Sequence, residues 1–69
     1  MPKFEQYDLV RVVMPHEEDQ GFKGAIGIVT VVDEKAEYPY EIIFVGKKHN
    51  EKSREIGTFL WKDYQLEAI

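Results

Sequence analysis

Ten consecutive residues, Lys23-Gly24-Ala25-Ile26-Gly27-Ile28-Val29-Thr30-Val31-Val32, constrain the fold of this chain more than any other stretch. Two glycines open a β-branched run. After a polar connection a second run, Tyr40-Glu41-Ile42-Ile43-Phe44, alternates large apolar residues with others. β-branched side chains lose rotamer freedom in a helix and pack well on a pleated surface. Gly24 and Gly27 supply the backbone freedom that a tight turn and a sharply bent strand require. A nearly unbroken apolar strand implies cover on both faces for part of its length. This is how a very small barrel begins.

Read outward from that run, the chain breaks into five short strands. The first spans 7–13, with Val10 and Val12 on one face and Leu9, Arg11 and Val13 on the other. Pro15 ends it, because proline cannot donate to a ladder. A polar loop covers 16–23, and the second strand runs from about Ala25 to Val32. The 33–39 connection is too long for a two-residue hairpin turn, and the third strand is 40–45. Residues 46–57 read as a charged loop, since no helical apolar spacing is present. A fourth strand at 58–61, one helical turn at 62–65 and a last strand at 66–69 complete the chain. The expected core is Val10, Val12, Val29, Val31, Tyr40, Ile42, Phe44, Phe59 and Leu66, while Ile26 and Ile28 have no clear place. The expected fold class is all-β, a five-stranded barrel with one short helical turn before the last strand, because closure removes exposed edges.

Length and composition set outer bounds. Sixty-nine residues make one domain, and a chain of this size buries only about 60% of the surface its unfolded form exposes. Cysteine is missing, so neither a disulfide framework nor a thiolate metal site is available. That composition suits a reducing compartment, and without an apolar segment of signal-peptide or bilayer-spanning length the expected location is cytoplasmic, with no membrane partner. The formal charge is −4, which disfavours broad phosphate-backbone binding. It is uneven, however: residues 47–55 carry +2 and the remainder −6.

Four segments together carry a resemblance. Asp8-Leu9-Val10-Arg11-Val12, Gly24-x-x-Gly27-x-Val29-x-x-Val32, Tyr40-x-Ile42-x-Phe44 and Tyr64-Gln65-Leu66-Glu67 resemble the small SH3-like barrel over about residues 7–69. The nearest variants are the KOW-like and Mind-bomb-like barrels and short bacterial and phage SH3-like proteins. The resemblance implies the barrel fold and specifies little function. Val10-Arg11-Val12-Val13 with Pro15, Gly27-x-Val29, Val32-Asp33 and Tyr38-Pro39 leading to Phe44 are also similar to the SH3-like stromal subunit of photosystem I. Members of that family help dock ferredoxin, which calls for a basic surface where this chain has an acidic first loop. Peptide-binding SH3 domains differ more, since their acidic first-loop motif and paired tryptophans are not found.

Candidate sites each carry a plainer alternative. Glu17, Glu18 and Asp19 beside His16 offer carboxylates to a cation or a basic partner, but consecutive residues do not converge on one ion, and no metal or cofactor is expected. Lys47, Lys48, Lys52 and Arg54, with His49 and Asn50, form the one basic segment able to meet phosphate, as KOW-type barrels do by resemblance. The alternative is a solvated loop. Tyr38, Phe22 and Trp61 would form a cation or side-chain cage if they met at one barrel end; otherwise they plug the core. Leu9, Val13, Ile43 and Val45 lie out of phase with the core and make an apolar patch if exposed together. Ser53 is the sole serine, His16 and His49 lie in separate loops, and no nucleophile elbow or phosphate cradle is present. The chain is expected to be no enzyme. It reads as a non-catalytic protein-interaction module, with Leu9, Val13, Ile43, Val45 and Trp61 contacting a protein partner or a second copy and the charged segments orienting it. A small phage or bacterial accessory role suits such a chain. The alternatives are nucleic-acid binding through 47–55 and acidic mimicry of nucleic acid.

Overall fold

A computed structural model describes residues 3–69. The chain forms β1 (Leu9–Val12), β2 (Ile26–Val32), β3 (Tyr40–Phe44), α1 (Lys47–Ile56), β4 (Leu60–Trp61) and β5 (Leu66–Ala68). Short 3-10 segments occupy Glu17–Phe22, kinked at Asp19, and Asp63–Gln65. All strand pairings are antiparallel, in the order β4-β3-β2-β1-β5. The architecture is thus an all-β, SH3-like curled half-barrel with a helical turn leading into the last strand, as the strand pattern predicts, but the sheet curls without closing and β4 and β5 remain its edges. A radius of gyration of 10.7 Å is close to the ~11 Å of a compact chain of this length.

The concave face holds the core. Val10 and Val12 of β1, Val29 of β2, Tyr40, Ile42 and Phe44 of β3, and Leu66 of β5 are all buried. Period-2 alternation puts these residues on one face and their neighbours on the other. Val31, expected inside, is 48% exposed. The register between β2 and β3 shifts between Val29 and Val31, leaving Thr30 as an extra residue. A bulge of this kind reverses the inward phase beyond it. Phe59, expected inside, is only partly covered; it precedes β4, and its carbonyl accepts the Ile42 N–H at 2.8 Å.

The barrel ends supply the rest of the core. Phe4, ahead of β1, is buried with its ring edge-on to Tyr40, centroids 5.3 Å apart. Tyr40 Oη in turn accepts the backbone N–H of Lys3 at 2.7 Å. At the other end Phe22 stacks on Phe44 at 5.1 Å and meets Trp61 edge-on. A barrel this small has too few strand positions to fill itself, so aromatic rings from loops close it.

Residues 46–57 are not a loop: most of them form α1. Lysine, glutamate and arginine are good helix formers, and Lys47 approaches Glu51 one turn on. Gly57 ends the helix in the left-handed region (φ 73°), its N–H bonded to the Ser53 carbonyl. What replaces an apolar stripe is polar and small. His49 lies against the rings of Phe22 and Phe44, and Ser53, four residues later, is buried with its hydroxyl donating to the Thr58 carbonyl at 2.7 Å. A helix that seats on the barrel through an imidazole and a serine has no periodic hydrophobic signature.

Candidate functional site

Strand alternation that sends the core inward sends a second set of apolar side chains out. Leu9 of β1 lies directly opposite Ile28 of β2, and Ile28 opposite Ile43 of β3, so three large aliphatic residues form a row across the convex face. Ile69 extends the row at the β5 side, its N–H bonded to the Leu9 carbonyl. A second row runs alongside: Ile26 pairs with Arg11, and the Val45 N–H bonds the Ile26 carbonyl. Leu9 is 48% exposed, Ile43 47%, Val45 53% and Ile69 61%. Ile26 and Ile28 are half-buried between them, so the six residues form one continuous surface. A contiguous apolar patch, unlike singly scattered exposed aliphatics, often marks an interaction surface.

Polar groups frame it. On the β5 side Arg11 meets Glu67 at 3.4 Å. On the far side Glu41 accepts a hydrogen bond from the Thr30 hydroxyl at 3.1 Å. A shallow groove of about 410 Å³ lies there between β3 and α1, lined by Glu41, Ile43, Asn50, Arg54 and Phe59 among others. Ahead of β1, Tyr7 holds a left-handed backbone (φ 74°) although it is not glycine, with its N–H on the Val29 carbonyl and its side chain 72% exposed. Conformations of this kind cost about 1–3 kcal/mol and cluster at functional surfaces.

Leu9, Ile43 and Val45 therefore share one exposed face. Val13 stands apart from them: it follows the end of β1, with Arg11 between it and Leu9 on that face, and it is half-buried. Trp61 is not a surface residue at all. It is 1% exposed, edge-on to Phe22 and Phe44 at 6.1 and 6.0 Å. The aromatic cage is overturned for the same reason, since Phe22 and Trp61 are both core. Tyr38 instead faces His16 and carries the Lys62 ammonium 5.0 Å above its ring. What sequence reasoning missed is the part played by Ile26, Ile28 and Ile69. The signal was available in the alternation of β2, obscured because the strand is apolar at inward and outward positions alike.

The charged candidates occupy neighbouring elements. Glu17, Glu18 and Asp19 lie on the first 3-10 segment, which packs against α1 where Lys52 Nζ stands 5.9 Å from the Phe22 ring. Asp19 accepts a hydrogen bond from the Thr58 hydroxyl at 3.3 Å, tying that segment to the end of the helix. Along α1, helical spacing sets Glu51 and Glu55 angularly between Lys47 and Lys48, with Lys52 beyond and Arg54 turned towards the β3 groove. Among the described residues, no three or more acidic, histidine or cysteine side chains are grouped to hold a metal ion. An open cleft of about 450 Å³ between the β2–β3 connection and the second 3-10 segment is lined by charges of both signs, including Lys3, Glu34, Glu37, Lys62 and Asp63. No helix among the described residues is long and apolar enough to cross a membrane.

Fold and surface together define a class: a small SH3-like half-barrel with a helix in its β3–β4 connection and an aliphatic convex face. No protein-family model, curated protein or solved structure matches the chain.

Proposed function

We propose that this protein is a non-catalytic protein-interaction module that works through the convex face of its sheet, as a small accessory factor of a larger assembly. The observation that carries this reading is the directly opposed row Leu9–Ile28–Ile43, flanked by exposed Val45 and Ile69. Keeping these side chains in water forgoes about 25 cal/mol for each Å² of apolar area. A partner that covers them recovers that term, while the charged rim fixes orientation.

Nucleic-acid binding through residues 47–55 has weaker support. Glu51 and Glu55 are interleaved with Lys47, Lys48 and Lys52 on α1, so a phosphate chain would meet carboxylates between the ammonium groups. Acidic mimicry asks for carboxylates aligned on one surface, whereas here the acidic 3-10 segment lies beside the basic helix.

The test is site-specific photo-crosslinking in the native host, with a photoreactive residue at position 43 and, as control, at Glu34. A discrete protein adduct from position 43 that Glu34 does not give supports the reading. Equal labelling from both positions, or none, removes it.

A further inference from the structure

We propose that the partner of the convex face is a second copy of this chain, the two sheets packing face to face about a two-fold axis; this rests on the interaction reading above. Three observations on the molecule lead there.

The first is area. The six aliphatic residues expose about 400 Å² of apolar surface, within the ~300–600 Å² of the largest patch on a typical monomer, a size that often marks a functional surface. Covering the patch on both copies removes about 800 Å² in total, below the ~1,600 Å² of a standard specific interface, so the dimer is a weak one that forms at high protein concentration. The whole chain exposes 4770 Å², so a larger footprint would have to leave the sheet face and run onto the loops.

The second is charge. The body carries −4, yet the charged residues framing the patch are Arg11 and Glu67 on one side and Glu41 and Arg54 on the other. This frame is neutral. A strongly basic partner would be drawn to the carboxylates elsewhere on the molecule and would find no matching field here. An identical copy brings the same two arginines and two glutamates, so a two-fold contact, in which the same patch serves both subunits, brings no net charge together.

The third is shape. The row is centred on β2, with Ile28 in the middle and Leu9 and Ile43 on either side. Two convex faces meet along their most prominent line, here the Leu9–Ile28–Ile43 row, so the contact centres on that row. Each protomer already has a closed core of its own. Association is therefore a concentration-dependent step after folding, and the face can be mutated without unfolding the chain.

Sedimentation velocity on the full chain from about 1 μM to about 1 mM, a span covering weak and firm dimers, tests this. The wild type should pass from monomer to dimer and no further. Ile43→Asp and Leu9→Asp should each weaken dimerisation at least about thirty-fold, the loss expected for central interface residues. Near-UV circular dichroism of the buried Trp61 checks that both variants remain folded. Ala36→Asp, exposed in the connection between β2 and β3 and off the sheet face, should leave the dimer intact. A wild type that stays monomeric throughout overturns the proposal, as does a dimer indifferent to both row variants or an assembly that grows past two. If the wild type is monomeric while position 43 still crosslinks a different protein, the second copy is rejected and the interaction reading survives.

Discussion

Gly27→Ala offers the sharpest test of the packing on which the convex face is built. Gly27 is buried in β2 opposite Phe44, and its backbone would accept any residue, so the glycine is required by space alone. A Cβ there would fall well inside van der Waals contact with Ile42 Cγ2, 3.1 Å from the Ile43 carbonyl oxygen and 3.5 Å from Phe44 Cδ1. The oxygen belongs to the sheet ladder and cannot move far, so Ile42 has to leave its rotamer. Overpacking of this kind costs about 1–3 kcal/mol. Alanine returns about 0.5–1 kcal/mol through the lower entropy of its unfolded chain. The net loss is about 0–2.5 kcal/mol, centred near ~1 kcal/mol or about 4–8 °C in Tm for a domain of this size.

Urea unfolding of Gly27→Ala should therefore show a lower midpoint with an unchanged slope. The offending atom also predicts a rescue. Leucine branches one carbon further out than isoleucine, so Ile42→Leu removes the Cγ2 that the new methyl strikes. In that background Gly27→Ala should cost at least about 1 kcal/mol less, within the range of coupling between touching residues. Gly57→Ala is the control. It loses stability because φ is 73° with nothing within 4 Å, so Ile42→Leu should not change its effect. If the effect of Gly27→Ala is the same in both backgrounds, the close approach of β2 and β3 is wrong.

Three further outcomes follow from the same packing. Val29→Ala should cost about 2–3 kcal/mol in chemical unfolding, while Val31→Ala two residues along should stay within about 0.5 kcal/mol; equal effects would deny the bulge. Ser53→Ala removes the hydroxyl that holds the α1 terminus to Thr58 and should lower stability by about 1 kcal/mol, with hydrogen exchange rising first in residues 53–58. Trp61 should resist fluorescence quenching by iodide, and Trp61→Ala should cost about 3–5 kcal/mol; a readily quenched tryptophan would return it to the surface.

The legible part of the fold was the part governed by period-2 alternation. Val10, Val12, Ile42 and Phe44 announce their inward direction through their neighbours, and Pro15, Gly24 and Gly46 lie just outside strand ends. Val31 was misplaced because a bulge at Thr30 leaves no mark in an apolar run. α1 was missed because its contacts with the barrel come from His49 and Ser53, which no hydrophobicity pattern counts. Its remaining signals, glycine at position 57 and charged residues four apart, are local ones that a search for apolar stripes passes over. Trp61 is a different failure: a two-residue strand carries no periodicity, so only the need to fill a barrel end indicates that the largest side chain points inward.

The candidate site was half legible for a related reason. A strand reveals an exposed apolar face only where its inward residues are already known, which held for β1 and β3 but not for β2. Leu9 and Ile43 could therefore be singled out, while Ile28, which joins them, could not. Their meeting in one row depends on register, and register here is set by the Gly27–Phe44 pairing that lets β2 and β3 approach closely. A one-residue slip would carry Ile28 to the concave side and break the row. The glycine that the core requires is thus also what aligns the outer face. A substitution that forces β2 and β3 apart should weaken association through the convex surface even though it adds no charge there.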